Sequence, residues 1–355
     1  MAMNNRLGRQ SNFELLRIFA AMAVIVLHYN NASMGNALGL VNKGSINYIL
    51  LSVAECISIC SVNVFVILTG YFKHCSLRCD LLKPVRLLMQ LFIIELTFCL
   101  MFELPNEKGI TLREINQYFT SLYWFVFVYI ALYLLSPWIS STYRRQSPVN
   151  KKKLLILYWI TFSLCPFGLT CISTISGLDW NSLSPAGLNL NSVGATIIHF
   201  ILLDLVGAWL QEHQNYQLPV WLLFMAIALI VCILTLFTAG GNTVQLRYEN
   251  PLVVAMAILI FLLFKGLKTR NNRIINALGA GAFPCYLIHV NILGLCRIEI
   301  YVNQEPWKLL LHLGFVVIVI YLISYGINIL YYAITEPVFR LIDTRWKNCR
   351  WYEAN

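Results

Sequence analysis

Apolar residues run through this chain in long blocks separated by short polar joints. Ten of the blocks reach the length of about 20 residues that a helix needs to cross the hydrocarbon core of a bilayer. They lie near 13 to 32, 46 to 72, 84 to 103, 119 to 138, 153 to 171, 193 to 210, 218 to 238, 250 to 267, 274 to 297 and 309 to 334. The fifth and sixth are the weakest, because Pro166, Gly168 and Gly177 interrupt one and Asp204 sits in the other. The longest irregular stretch, TISGLDWNSLSPAGLNLN (174 to 191), is polar and rich in Gly and Ser, and reads either as a solvated connector or as a rim over a cleft. No joint is long enough to hold a soluble domain, and no internal repeat of the kind that marks many transporters is visible. The pattern predicts an all-α integral membrane protein, one transmembrane domain over residues 1–355. The first apolar run is too long, and its polar residues too deep, for a cleaved signal peptide, so it is expected to remain as the first span.

Composition agrees. The chain is 59% hydrophobic and 12% charged, roughly half the charged fraction of a soluble domain. Its net charge of +10 is dispersed between apolar runs, which argues against nucleic acid as a partner and for topology. With the N-terminus inside, 20 of the 26 Lys and Arg residues fall in cytoplasmic joints and 6 outside, the latter being Lys43, Lys108, Arg113, Arg247, Arg297 and Lys308. That bias predicts an even number of spans with both termini cytoplasmic, in a multi-pass protein of the plasma or inner membrane. The 11 cysteines lie mostly inside apolar runs, as at Cys56, Cys60, Cys99, Cys165 and Cys232, and show no zinc spacing. They read as packing residues, and no metal is expected.

Ionisable groups inside a membrane are costly and are the first candidates for function. Those singled out are Glu14, Arg17, His28, Glu55, Glu95, His199, Asp204, His289 and Glu336. In RIFAAMAVIVLH, Arg17 and His28 are eleven positions apart, which is three helical turns plus roughly 20° and about 16 Å of rise. The two therefore share a face, with Arg17 near the cytoplasmic surface. One groove can then hold an anion near its inner mouth and do proton chemistry deep inside, although Arg17 alone also reads as a snorkelling anchor and His28 as an interhelical hydrogen bonder. His289, in FPCYLIHVN, has a similar depth, so the two histidines can border one cavity. Glu55 and Glu95 fall near mid-depth and either orient an imidazole or pack as neutral acids. Asp204 and His199, five residues apart, are off-face for a metal pair and read as structural. The basic run KHCSLRCDLLKPVR (73 to 86) suits a phosphate-rich ligand or anionic lipid. Glu336, in TEPVFR, is expected to pair with Arg17 or Arg86.

Taken in order, these segments resemble the acyltransferase-3 family of multi-spanning O-acyltransferases. FELLRIFAAMAVIVLH supplies Glu14, Arg17 and His28 in the family's first-helix arrangement. SVNVFVILTGYF is similar to its second-helix ending, with Thr69 in place of the usual serine, and LLKPVRLL to its basic entry to the third helix, with Lys83 in place of one arginine. YWFVFVYIALYLLSPW, CYLIH and TEP complete the series. The segment HFILLDLVGAWL departs from the family pattern at Asp204.

The resemblance implies transfer of an acyl group, most often acetyl, from cytoplasmic acetyl-CoA to a hydroxyl of an extracytoplasmic or lipid-linked glycan. It implies no permanently bound cofactor, with acyl-CoA as the donor substrate. Arg17, Lys83 and Arg86 would hold the CoA phosphates, and His28, with Glu14 and Arg17, would carry the chemistry as general base or as transient acyl carrier. Asn63, Thr69, Trp124, Tyr286 and His289 would line the substrate cavity. Two other readings stay open: a secondary transporter of a small polar solute, and a noncatalytic partner in glycan assembly. Whether the chain forms a homo-oligomer is also open.

Overall fold

The structure, a computed structural model, describes residues 10–74, 79–103, 123–185, 196–241, 246–346 and 350–352. Residues 119–122 and 193–195 of the predicted spans, Arg78 of the basic run and residues 186–191 of the Gly- and Ser-rich stretch lie outside the described residues.

The chain is helical along nearly all of its described length. In order come α1 (Ser11–Asn30), α2 (Ala37–Leu40), α3 (Ile46–Ser58), α4 (Ser61–Lys73), α5 (Leu82–Glu103), α6 (Trp124–Arg144) and α7 (Pro148–Trp159). A π turn over Ile160–Leu164 leads into α8 (Cys165–Ser176), followed by α9 (Ile197–Glu212), α10 (Val220–Ala239) and α11 (Pro251–Lys265). Then come α12 (Arg273–Gly279), α13 (Ala282–Leu293) and the long α14 (Pro306–Trp346). A short antiparallel ladder pairs β1 (Cys79–Asp80) with β2 (Arg350–Tyr352).

Each predicted window meets a helix, and the helices differ in length. Seven described helical stretches are long and apolar enough to cross a bilayer, or up to eight if the bent pair α12–α13 is one span, where the hydropathy pattern predicts ten. Two of the remaining windows hold shorter helices. The Thr196 side chain accepts the His199 N–H and fixes the start of α9, which ends after 16 residues at His213. Likewise Asn250 accepts the Leu252 N–H ahead of α11, which has 15 residues. Large apolar side chains stand exposed along α10, among them Trp221, Phe224, Met225, Leu229 and Phe237. An apolar patch of that extent is a surface suited to lipid.

The chain divides into two compact units. The first comprises Met1–Phe65, Tyr216–Asn242 and Ala255–Asn328. Its axis is α1, buried on nearly all sides and packed against α3, α12 and α13, as expected for a helix apolar all round. Ile18, Ala21, Ile25 and Tyr29 join Leu51, Cys285, Leu293, Leu309, Ile320 and Tyr321 in one core. Polar contacts set the ends of α1. Ser11 Oγ donates to Asn276 Oδ1 (2.9 Å) and accepts the Asn272 N–H (2.7 Å), and Asn12 Nδ2 donates to the Phe264 carbonyl (3.2 Å). At the other end Asn30 Nδ2 donates to the Leu51 carbonyl (3.1 Å) and to Glu55 Oε2 (3.0 Å). Helices α12 and α13 meet at a 54° bend at Ala280 and Gly281.

The second unit comprises Val66–Asn215, Thr243–Val254 and Ile329–Asn355. Here α9 packs on α6 and crosses the end of α4 at close range. A Cβ at Gly70 would stand 2.1 Å from the Asp204 carbonyl oxygen, and one at Gly207 would stand 2.2 Å from the Ile67 carbonyl oxygen. Only glycine admits that approach, the device by which membrane helices bring backbones together. In the π turn the Cys165 N–H bonds the Ile160 carbonyl, five residues back, just before Pro166, which has no N–H to give.

Candidate active site

In the first unit Glu14, just before RIFAAMAVIVLH, and His28 at its end lie against the bent pair. Glu14 lies against Gly279 of α12, where a Cβ would stand 2.3 Å from Glu14 Oε2, so the missing side chain makes the space that the carboxylate fills. Arg17 Nη1 donates to Glu14 Oε1 at 2.5 Å, with the arginine side chain 29% exposed and the glutamate 6%. Three turns on, His28 meets His289 of α13. Their ring centroids are 4.6 Å apart, and His28 Nδ1 lies 2.6 Å from His289 Nε2. Tyr286 stands with its ring centroid 6.0 Å from that of His289.

The hydrogen-bond network assigns the tautomers. His289 is buried, and its Nδ1 lies 2.9 Å from the Cys285 carbonyl, an acceptor only, so Nδ1 carries the proton. In the neutral ring His289 Nε2 is then a lone pair, and His28 Nδ1–H must donate to it. Chemistry at His28 is left to Nε2, which carries a lone pair and has no hydrogen-bond partner among the described residues. An imidazole held in one tautomer by a second group is the general arrangement of an oriented base.

The remaining expected residues distribute as follows. Asn63 is fully buried on α4. In the second unit Thr69 is half-buried on the same helix, and Trp124 opens α6 with its ring centroid 5.8 Å from that of Tyr248. Exposed Lys83 lies 4.7 Å over the Tyr133 ring, whose other cationic neighbour is Lys73 at 3.4 Å. Arg86 lies 4.9 Å over the Phe339 ring. Glu336 pairs with Arg340, one turn along its own helix at 3.3 Å, not with the Arg17 or Arg86 that the sequence suggests. The i,i+4 neighbour is the nearer partner on a helix. Glu55 serves Asn30 rather than an imidazole; Asn30 is two residues from His28 and so roughly 200° around α1 from it. Glu95 is buried on α5 in the second unit.

Three polar groups escape the sequence reading. His312, inside the last apolar window, accepts the Tyr29 hydroxyl at Nδ1 (2.9 Å), donates from Nε2 to the Cys296 carbonyl (3.0 Å) and stacks on Tyr301. The signal was available, because LLLHLGF places a lone histidine in an apolar run just as VIVLHYN does. The second group is His74 with Glu212 and Lys151, and the third Arg247 with Glu249. Both join residues far apart in sequence or in a joint, where hydropathy carries no information.

No curated protein matches the chain. No solved structure matches it either. A family profile described as an acyltransferase domain matches residues 10–329, which takes in α1, the bent pair and both histidines. The chain belongs to the acyltransferase-3 family and is a membrane acyltransferase.

Proposed function

We propose that the protein transfers an acetyl group from cytoplasmic acetyl-CoA to a hydroxyl of an extracytoplasmic or lipid-linked glycan, with His28 as the base. The observation that carries this reading is the 2.6 Å contact between His28 Nδ1 and His289 Nε2, with His289 anchored on the Cys285 carbonyl. It leaves His28 Nε2 as a fixed lone pair for the acceptor hydroxyl. The hydroxyl oxygen attacks the thioester carbonyl as its proton passes to His28 Nε2. The carbon–sulfur bond then breaks, and the proton leaves His28 with the thiolate as the CoA thiol. During the step the imidazolium is stabilised by His289 Nε2, which accepts from it throughout. Transient acylation of His28 Nε2 uses the same lone pair and remains the alternative order of events.

Arg17 is suited to an anion near the cytoplasmic end of α1, because its pair with Glu14 keeps the guanidinium in place while leaving it 29% exposed. Lys83 and Arg86 are proposed for the donor phosphates on the same grounds of charge. The charge bias supports both termini in the cytoplasm and an even span count, hence eight or ten.

The test uses purified full-length protein, [14C]acetyl-CoA and base-deacylated surface polysaccharide from the expressing cells. Label should enter the polysaccharide with wild-type protein and fail to enter it with His28→Ala, while yield and thermal midpoint persist. Mass spectrometry of surface glycans should show the matching lost mass in cells. Solute uptake into protein-containing vesicles, without thioester turnover, would overturn this in favour of a transporter. The bent pair α12–α13 supplies the single broken helix of that kind among the described residues.

A further inference from the structure

The second unit holds a buried ion pair that the transfer step does not use. Arg247 and Glu249 are 8% and 4% exposed, and Arg247 Nε donates to Glu249 Oε1. The backbone around them is held from several directions. Ser163 Oγ donates to the Glu249 carbonyl at 2.5 Å, the His199 ring bonds the Tyr248 backbone, and the Asn250 N–H bonds the Arg247 carbonyl at 3.1 Å. Ser163 comes from the π turn, a feature that recurs at functional sites. Burying two charges is a poor way to gain stability, since apolar residues of the same size usually do better. A fold that keeps such a pair has another use for it.

One atom points to that use. Glu249 Oε2 is buried and has no hydrogen-bond partner among the described residues, so a carboxylate oxygen here still needs a donor. Beside it in the chain Tyr248 is half-buried against Trp124, itself half-buried and in contact with Phe125 and Phe200. Aromatic walls with a few fixed polar groups are the usual lining of a small-ligand site. The ion pair is neutral overall, so it attracts no net charge, and the open valence is an acceptor, so it repels an anionic group and takes a hydroxyl.

We propose that Trp124, Tyr248 and the Arg247–Glu249 pair form a subsite for a neutral sugar ring, with the aromatic faces against its carbon face and Glu249 Oε2 accepting one of its hydroxyls. This rests on the glycan-acceptor reading above and narrows it to neutral saccharides at this position. With ten spans and the N-terminus inside, Arg247 would lie on the extracytoplasmic side, where such an acceptor would be met.

The test follows label transfer and direct binding in parallel, with the base-deacylated surface polysaccharide as the probe. Glu249→Gln keeps the shape and turns the acceptor into a donor, while Tyr248→Ala removes one aromatic wall. Each should raise KM for polysaccharide at least tenfold while KM for acetyl-CoA and kcat move less than twofold, and each should weaken calorimetric binding of polysaccharide in parallel. Should Glu249→Gln fail to fold, as judged by its thermal midpoint, Tyr248→Ala and Trp124→Phe carry the test. If the variants change KM for acetyl-CoA or kcat instead, or leave polysaccharide KM and binding alone, the subsite is refuted while acyl transfer stands. If the wild type binds polysaccharide, loses binding in Tyr248→Ala and yet transfers no label, the transferase reading fails and the subsite survives.

Discussion

Two histidines in this protein, half-buried His28 and buried His74, make opposite choices of partner. In the first unit His28 is set against another imidazole, which is set in turn against a carbonyl, and no carboxylate takes part in the pair. In the second unit His74, 5% exposed, donates from Nε2 to Glu212 Oε1 at 3.1 Å, and the same oxygen receives Lys151 Nζ at 2.5 Å. His74 Nδ1 is buried without a partner among the described residues, and the Tyr143 ring meets the imidazole edge-on. The first arrangement keeps a lone pair available and a proton mobile. The second uses Nε2 to tie the ends of α4 and α9, while Lys151 adds the start of α7. A histidine is therefore read by what its other nitrogen touches, not by its burial.

The sharpest way to break this contrast is a double dissociation. His28→Ala should lower the rate of acyl transfer by at least about 10²–10⁴-fold, the usual contribution of a positioned acid–base group, and should leave the thermal midpoint nearly unchanged. His74→Ala should do the reverse, lowering the midpoint and sparing transfer. Label transfer and a detergent melting curve on the same preparations decide it, and equal losses in both variants would erase the distinction.

A second, smaller effect separates orientation from proton transfer. His289→Leu removes the acceptor for His28 Nδ1–H and frees the base to turn, at an expected cost of about 10–100-fold in kcat/KM, as for other groups that orient a histidine. His289→Gln offers an amide oxygen in place of Nε2 and should recover much of that loss, because an acceptor suffices to hold the tautomer. A pH profile displaced in Leu and restored in Gln supports the positioning role. Equal loss in both would mean that His289 itself must take the proton.

Much of this site was legible in one dimension. A helix converts the eleven-residue interval from Arg17 to His28 into a shared face, and the structure puts Glu14 and His28 against the same bent pair. Equal expected depth on two helices that the charge bias predicts to run outward brings His289 into view for the same reason. Depth says nothing of azimuth, so neither the 2.6 Å contact nor the turn of Glu55 toward Asn30 could be read from spacing. The pairing of Glu336 with Arg340 was legible as an i,i+4 spacing and was masked by the attraction of a longer-range partner. Helix lengths depart from the hydropathy windows where helix ends are fixed by single side chains, Thr196 and Asn250, because such windows do not see caps.

Glycines give an intermediate test of how each unit tolerates crowding. Gly70→Ala would press a Cβ against backbone, the Asp204 carbonyl at 2.1 Å, whereas Gly279→Ala meets first the end of a side chain, Glu14 Oε2 at 2.3 Å. Overpacking costs typically 1–3 kcal/mol, roughly, and the backbone clash should sit at or beyond the upper end. Gly279→Ala should be milder in melting but should weaken acetyl-CoA binding, since displacing Glu14 releases Arg17. Unchanged KM for acetyl-CoA would detach that ion pair from the donor.

The smallest effect expected concerns pH, and its sign follows from the surroundings of His74. Burial lowers its proton affinity below the ordinary histidine range, the nearby Arg144 cation lowers it further, and Glu212 opposes them while Lys151 offsets part of that opposition. A second proton would also sit on the buried Nδ1, which has no acceptor. In the unfolded chain the residue titrates near its reference value of about 6.5. Below that pH the unfolded chain binds the proton and the folded one resists it, so stability falls as pH drops through the window below about 6.5 and is fully present above it. Thermal midpoints at pH 7.5 and 5.5 should therefore diverge more for wild type than for His74→Gln, whose amide can still donate to Glu212 but cannot be protonated. The comparison must be a difference between the two proteins, because other groups titrate in both. A variant with the same or greater acid loss would mean that Glu212, not the imidazole, governs the latch.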